Sequence, residues 1–371
     1  MLNDCLRPTW SRPLPLRCFS ISVPALVISL SLTAAGCDRI ESRIIQRAAA
    51  RALAGDRNDL LDDGSLHVVL CGTGSPLADP ERAGPCTAVL AGGHFVLVDV
   101  GPGSLREVAL ERLPRARLEA VLLTHFHSDH IGEIGEAALQ SWVAGRSVPL
   151  VVYGPPGVEQ VVNGFRQAYA FDTRYRIAHH GAEAMPPAAG VTEAKAIMLS
   201  EPDAMAVVFD ADGLRVTAFA VDHAPASPAY GYRFEYKGRS VVVSGDTRKS
   251  ANLIRYAQGS DLLVHEALAA NMIEPVTEYA RAQGLSRWAK LTADIVTYHT
   301  TPEQAAEVAK EAKVRMLALT HIVPPLPNFI ARRMFLHGVS SAWEGRVELG
   351  RDGMHFTLSP GVTDIHVDTI G

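Results

Sequence analysis

What the sequence lacks narrows its function first. It has no excess of positive charge: 35 Lys and Arg face 40 Asp and Glu, for a net of −5. No global basic field therefore exists to hold a nucleic acid, although a local basic patch stays open. The apolar run Ile21 to Ala35 is only fifteen residues long and is broken by Pro24. A spanning helix needs about 20 apolar residues, so this run is too short to cross a bilayer comfortably. No internal repeat at fixed period is visible, which sets repeat arrays aside. Cysteine is scarce, with five in the chain.

The remainder is ordinary globular composition, 47% hydrophobic and 20% charged over 371 residues, enough for one large domain or two smaller ones. Arg7, Arg12 and Arg17 precede the short apolar run, which closes on small residues, as an export signal does. The run ends in Ala34-Ala-Gly-Cys37, which resembles a bacterial lipobox, with Ala34 where Leu is commoner. Residues 1–37 therefore read as a signal peptide with Cys37 as the lipidated residue. The expected location is periplasmic, and Asp38 behind the cysteine resembles the signal that keeps lipoproteins on the inner membrane. Cleavage before Cys37 leaves Cys71 and Cys86, which either pair in an oxidising compartment or remain small buried residues. Residues 38–64 read as a spacer, 65–360 as a catalytic domain and 361–371 as a tail. Residues 172–202 read as loop-rich.

The chain is organised around Glu119-Ala-Val-Leu-Leu-Thr-His-Phe-His-Ser-Asp-His-Ile-Gly-Glu133. An apolar run ends at Thr124, and His125, His127, Asp129 and His130 follow within six positions. Alternation of side chains aims His125 and His127 the same way. Asp129 and His130 fall where helical spacing begins. Three imidazoles and a carboxylate suit zinc, manganese or iron. Three later strand ends project further ligand types: His223, Asp246 after Val241-Val-Val-Ser-Gly, and His321 after Leu317-Ala-Leu-Thr.

His-x-His-x-Asp-His resembles the metallo-β-lactamase superfamily motif without departure. That resemblance implies an αββα sandwich, two mixed β-sheets flanked by helices. It also implies a dinuclear centre: His125, His127 and His223 on one ion, Asp129, His130 and His321 on the other, and Asp246 bridging both. Zinc is the expected metal, with manganese or iron as alternatives. A hydroxide held between the ions would be the nucleophile, with Asp129 accepting its hydrogen bond. Asp99, in Val98-Asp-Val-Gly-Pro-Gly103, would orient the ligands from behind.

Three further stretches narrow the resemblance to the ribonuclease Z and arylsulfatase branch. They are His223-Ala-Pro-Ala-Ser-Pro-Ala-Tyr-Gly-Tyr-Arg, Val264-His-Glu-Ala and Tyr298-His-Thr-Thr-Pro-Glu-Gln. In that branch the histidine matching His299 meets the leaving group or phosphate, and the glutamate matching Glu266 is its partner. Members are often dimers. Ribonuclease Z carries its tRNA-gripping arm between the positions matching His223 and Asp246; here too few residues separate them for an arm. The expectation is a metal-dependent hydrolase of a small-molecule phosphodiester or sulfate ester, with no tRNA partner and a membrane contact through the lipid anchor. The rivals are a lactonase or β-lactamase on the same fold, and a non-catalytic metal-binding lipoprotein.

Overall fold

The computed structural model describes residues 42–47, 49, 55–201 and 203–371. The signal peptide, Cys37 and Asp38 lie outside the described residues. Among those described, no helix is long and apolar enough to cross a membrane. The stretch up to Gly55 forms a unit of its own, and the second unit runs from Asp56 to Gly371.

Among the described residues, fifteen short strands build that second unit. The first six are β1 (Leu66–Gly72), β2 (Cys86–Ala91), β3 (His94–Val98), β4 (Leu118–Leu122), β5 (Leu150–Gly154) and β6 (Thr192–Ala196). Then come β7 (Met205–Ala211), β8 (Leu214–Val221), β9 (Ala229–Tyr236), β10 (Arg239–Val243), β11 (Leu262–Leu268), β12 (Met316–Val323) and β13 (Arg346–Leu349). Last are β14 (Met354–Leu358) and β15 (His366–Thr369). One sheet runs β15-β14-β1-β2-β3-β4-β5-β6 and the other β13-β12-β11-β10-β9-β8-β7. Both are mixed: β3 through β6 and β10 through β13 are parallel, and the remaining pairs are antiparallel.

Alternation within each strand explains the layering. Val68 and Leu70 of β1 join Phe234, Val241, Val264 and Ala318 in the apolar layer between the sheets. Val69 and Cys71 face the opposite way, onto Leu105, Val108, Ile134 and Val158 of the covering helices. The outer face of the second sheet meets Leu253, Ala305, Ala309 and Phe335. Four layers result, the expected αββα sandwich.

Three boundaries differ from the expectation. Leu60 and Leu61, inside the supposed spacer, are buried against the first sheet. β15 lies inside the supposed tail and pairs with β14. The segment from residue 172 is not loop until after Ala184: helix Val158–Ala184 continues through it, with a kink at Gly181. Polar residues on every side hid that helix, which buries only Val158 and Val162 and gains local support from Asp172–Arg176 at i,i+4. Cys71 and Cys86 are bonded as a disulfide.

Candidate metal centre

The sheets position the ligands by their strand ends. β4 runs into Thr124-His125, and a four-residue helix Ser128–Ile131 follows, presenting Asp129 and His130. Gly101 lies so close to this turn that an added Cβ would meet the Asp129 carbonyl at 2.2 Å; only glycine fits there. β8 ends just before His223, and β10 just before Ser244-Gly-Asp246. β12 delivers His321 in a way that sequence patterning could not show. Glu266 pairs with Thr320 and Ala267 with Ile322, leaving His321 as the extra residue of a bulge with φ of 46°. A bulge re-aims one side chain, here toward the other sheet's ligands.

All seven residues converge. His125 Nε2 lies 2.9 Å from His127 Nδ1, which lies 3.4 Å from His223 Nε2. His321 Nε2 and His130 Nε2 lie 3.3 and 3.5 Å from Asp129 Oδ2. Asp246 Oδ2 sits between the groups, 3.3 Å from His130 Nε2, 3.4 Å from His321 Nε2, 3.8 Å from His223 Nε2 and 3.9 Å from His125 Nε2. Every one of these residues except His127 is buried.

The donors fit divalent cations. His130 Nε2 and Asp246 Oδ1 are buried without a hydrogen-bond partner among the described residues, a state that is unfavourable unless a cation or water fills it. Two groups, His125/His127/His223/Asp246 and Asp129/His130/His321, each have ligand atoms within 4.8 Å of one another. Titration follows from the crowding. Burial pushes the His125 pKa well down, reinforced by His130 and opposed by Asp246. Burial likewise disfavours charge on His130, but Asp246 and Asp99 outweigh it and raise its pKa well above the usual value. Burial disfavours charge on Asp246 too, and His321 and His130 overcome it to hold the carboxylate well below its usual range.

Behind these side chains lies Asp99. Its Oδ2 accepts at 2.8 Å from His130 Nδ1 and at 2.8 Å from Thr124 Oγ1, while Oδ1 accepts from Thr124 N. His223 Nδ1 donates to the Tyr298 carbonyl at 2.9 Å. Fixing the far nitrogen leaves the near one as ligand. Sequence reasoning missed Thr124 and Tyr298 in these roles. It also missed Asp352, which accepts from Thr73 N, Thr73 Oγ1 and Ala83 N. Thr73 in turn accepts from Ile322 N, next to His321. Arg351-Asp-Gly353 reads only as a turn, so nothing local announced it.

His299 and Glu266 are brought to the same place. His299 Nδ1 lies 2.9 Å from Glu266 Oε1, which also accepts from Thr247 N and Thr300 N. The His299 ring stacks on His321, with centroids 5.4 Å apart, and tilts against His223 at 5.1 Å. Behind it, Thr301 and Gln304 form a capping box with Pro302 in the first turn.

Comparison with known proteins agrees with this geometry. The β-lactamase superfamily domain matches residues 94–322. Ribonuclease Z of Mycolicibacterium paratuberculosis is 38% identical over 298 residues, covering 77% of this chain and 96% of that protein. Among solved structures, the metallo-β-lactamase fold protein YhfI from Bacillus subtilis aligns with a TM-score of 0.55 at 20% identity, covering 79% of this chain and 99% of its own. The short form of human tRNase Z gives 0.54 at 21% identity, covering 80% of this chain and all of that one. Fold, ligand arrangement and relatives coincide: this chain belongs to the metallo-β-lactamase superfamily of hydrolases, with ribonuclease Z among its relatives.

Proposed function

We propose that the protein is a dinuclear-metal hydrolase of a small-molecule phosphodiester or sulfate ester. The observation that carries this reading is the Glu266–His299 pair set against His223 and His321, because an ester with a poor leaving group needs a proton donor there. A lactonase or β-lactamase needs the same ligands but has no use for this pair. His125, His127 and His223 would hold one ion and Asp129, His130 and His321 the other, with Asp246 shared; the nitrogen-rich set favours zinc. Such ions lower the pKa of water to about 7 and neutralise charge on the attacked ester. The chain's own groups supply the rest. Glu266 engages Nδ1 of His299, so Nε2 donates the proton to the departing oxygen. Asp129 accepts a hydrogen bond from the attacking water and so orients it.

A second reading, ribonuclease Z activity on tRNA precursors, is favoured by the 38% identity over nearly the whole of that relative. Against it, β9 and β10 are joined through Lys237-Gly238 alone and residues 222–228 join β8 to β9, which supports the expected lack of an arm between His223 and Asp246. The Cys71–Cys86 bond supports export to an oxidising compartment, and with it the lipid anchor at Cys37.

The test is a hydrolysis panel on metal-loaded protein: an aryl phosphodiester, an aryl sulfate, a lactone, a β-lactam and a precursor tRNA. Turnover of the phosphodiester or sulfate supports the proposal. Turnover confined to the carbonyl substrates, or to the tRNA, overturns it.

A further inference from the structure

The helices leading into His299 carry a surface that the metal centre does not explain. Helices Ala270–Ala282 and Ser286–Ile295 form a hairpin, tied by Thr277 Oγ1 to Thr292 Oγ1 at 2.8 Å. Each buries one stripe: Ile273, Thr277 and Ala280 on the first, Ala289 on the second. Each also keeps a second apolar pair in solvent at i,i+3 spacing, where two side chains share a face. These are Val276 and Tyr279 (65% exposed), then Trp288 (60% exposed) and Leu291. Helix Phe329–Phe335 touches the hairpin through Asn271 Nδ2, which donates to the Met334 carbonyl at 3.0 Å. It adds Phe329, 76% exposed, and Ile330.

Cations are interleaved with these side chains. Arg281, Arg287 and Arg333 are exposed, and no ion pair engages them among the described residues. The three helices hold five cations against three carboxylates, in a chain whose net charge is −5. Exposed aromatic rings and unpaired arginines on the same three helices match the boundary of an anionic bilayer. There rings sit at headgroup depth, and guanidinium groups bond phosphate oxygens in pairs.

We propose that this surface docks the folded domain on an anionic phospholipid bilayer, with Tyr279, Trp288 and Phe329 entering the headgroup region and Arg281, Arg287 and Arg333 on lipid phosphates. A second copy of the chain is the poorer occupant. A two-fold interface brings each patch against itself, and the six carboxylates of two copies cannot neutralise their ten cations. The docking is independent of which ester is cleaved and of the acyl chain at Cys37. Helix Ser286–Ile295 ends three residues before Tyr298, whose carbonyl accepts from His223.

The test uses the full chain carrying Cys37→Ser, so that no acyl chain contributes, on phosphatidylglycerol–phosphatidylcholine vesicles with brominated acyl chains. Bromine quenches tryptophan on contact, and Trp288→Phe separates its signal from those of Trp10, Trp142 and Trp343. Expected are quenching that disappears in Trp288→Phe, weakens in high salt and is absent on pure phosphatidylcholine. Each cation near such a surface contributes about fivefold to binding, so the triple variant Arg281→Glu, Arg287→Glu, Arg333→Glu, which also adds three anions, should lower partitioning by at least about a hundredfold. Its metal content should be unchanged, which certifies the fold. Quenching that persists in Trp288→Phe, or partitioning indifferent to the charge reversals, overturns the proposal. So does a dimer in light scattering that shields Trp288 from bromine, which would assign the surface to a second copy.

Discussion

Glu266 Oε1 lies 2.9 Å from His299 Nδ1, and that contact decides which nitrogen of the ring is left for chemistry. Burial disfavours charge on His299, but Glu266, by charge and hydrogen bond, and then Asp246 outweigh it and raise its pKa to about 9. Cations at the seven ligands would push it back toward neutrality, into the range where a general acid works best.

His299→Ala should therefore retain its metals by elemental analysis. It should lower kcat by about 10²–10⁴-fold on a diester with an alkyl leaving group. The loss should shrink for a nitrophenolate, which departs without a proton. Equal losses on both substrates would mean that His299 has another role.

Asp246 Oδ2 stands within 3.3 to 3.9 Å of four ligand nitrogens, so removing it should disturb both ions. Asp246→Ala should lose both metals, whereas His223→Ala should mainly weaken one. Two metals per chain retained in the Asp246 variant would refute the shared carboxylate.

Glu111 is buried, and neither carboxylate oxygen has a hydrogen-bond partner among the described residues. Burial, then Asp352 and Glu107, push its pKa up to about 9. The folded state thus keeps a proton that the unfolded chain releases near the ordinary value of 4.5. Stability from this group is full below that pH and falls as pH rises toward 9, by about 1.4 kcal/mol per pH unit. Glu111→Gln should flatten this slope in urea midpoints measured across that window. An identical slope in the variant would show that Glu111 ionises freely in the native state.

The Cys71–Cys86 bond joins positions 15 apart in sequence. Replacing both by serine should lower the unfolding free energy by about 3 kcal/mol, as expected for a loop of that length. An unchanged denaturant midpoint would argue that the bond is not formed.

How much of this was legible depended on how local each signal was. His125, His127, Asp129 and His130 are dense enough to declare themselves after one buried strand. His223, Asp246 and His321 are single residues at strand ends, and only their order and the family likeness joined them to the first four. The bulge that turns His321 inward leaves no trace in residue type, since Thr320-His-Ile322 looks like continuous strand. Asp352 meets Thr73 and Ala83, and Thr124 meets the Asp99 carboxylate, across gaps in sequence that patterning does not register. Leu60 and Leu61 were lost among polar neighbours, and β15 because its burial pattern is mostly exposed.

The bridge between sheets has a consequence for the order in which the molecule is made. Asp129 and His321, 192 positions apart, meet at 3.3 Å. While the chain is still being synthesised, the histidine-rich turn exists long before β12 does. At that stage it can offer an ion only its own few side chains, and two of them, His130 and Asp129, still lack His321. On the proposed ligand assignment, firm capture of a second ion would wait until the last third of the domain has docked, so metal content would report on completed folding as well as on ligand chemistry.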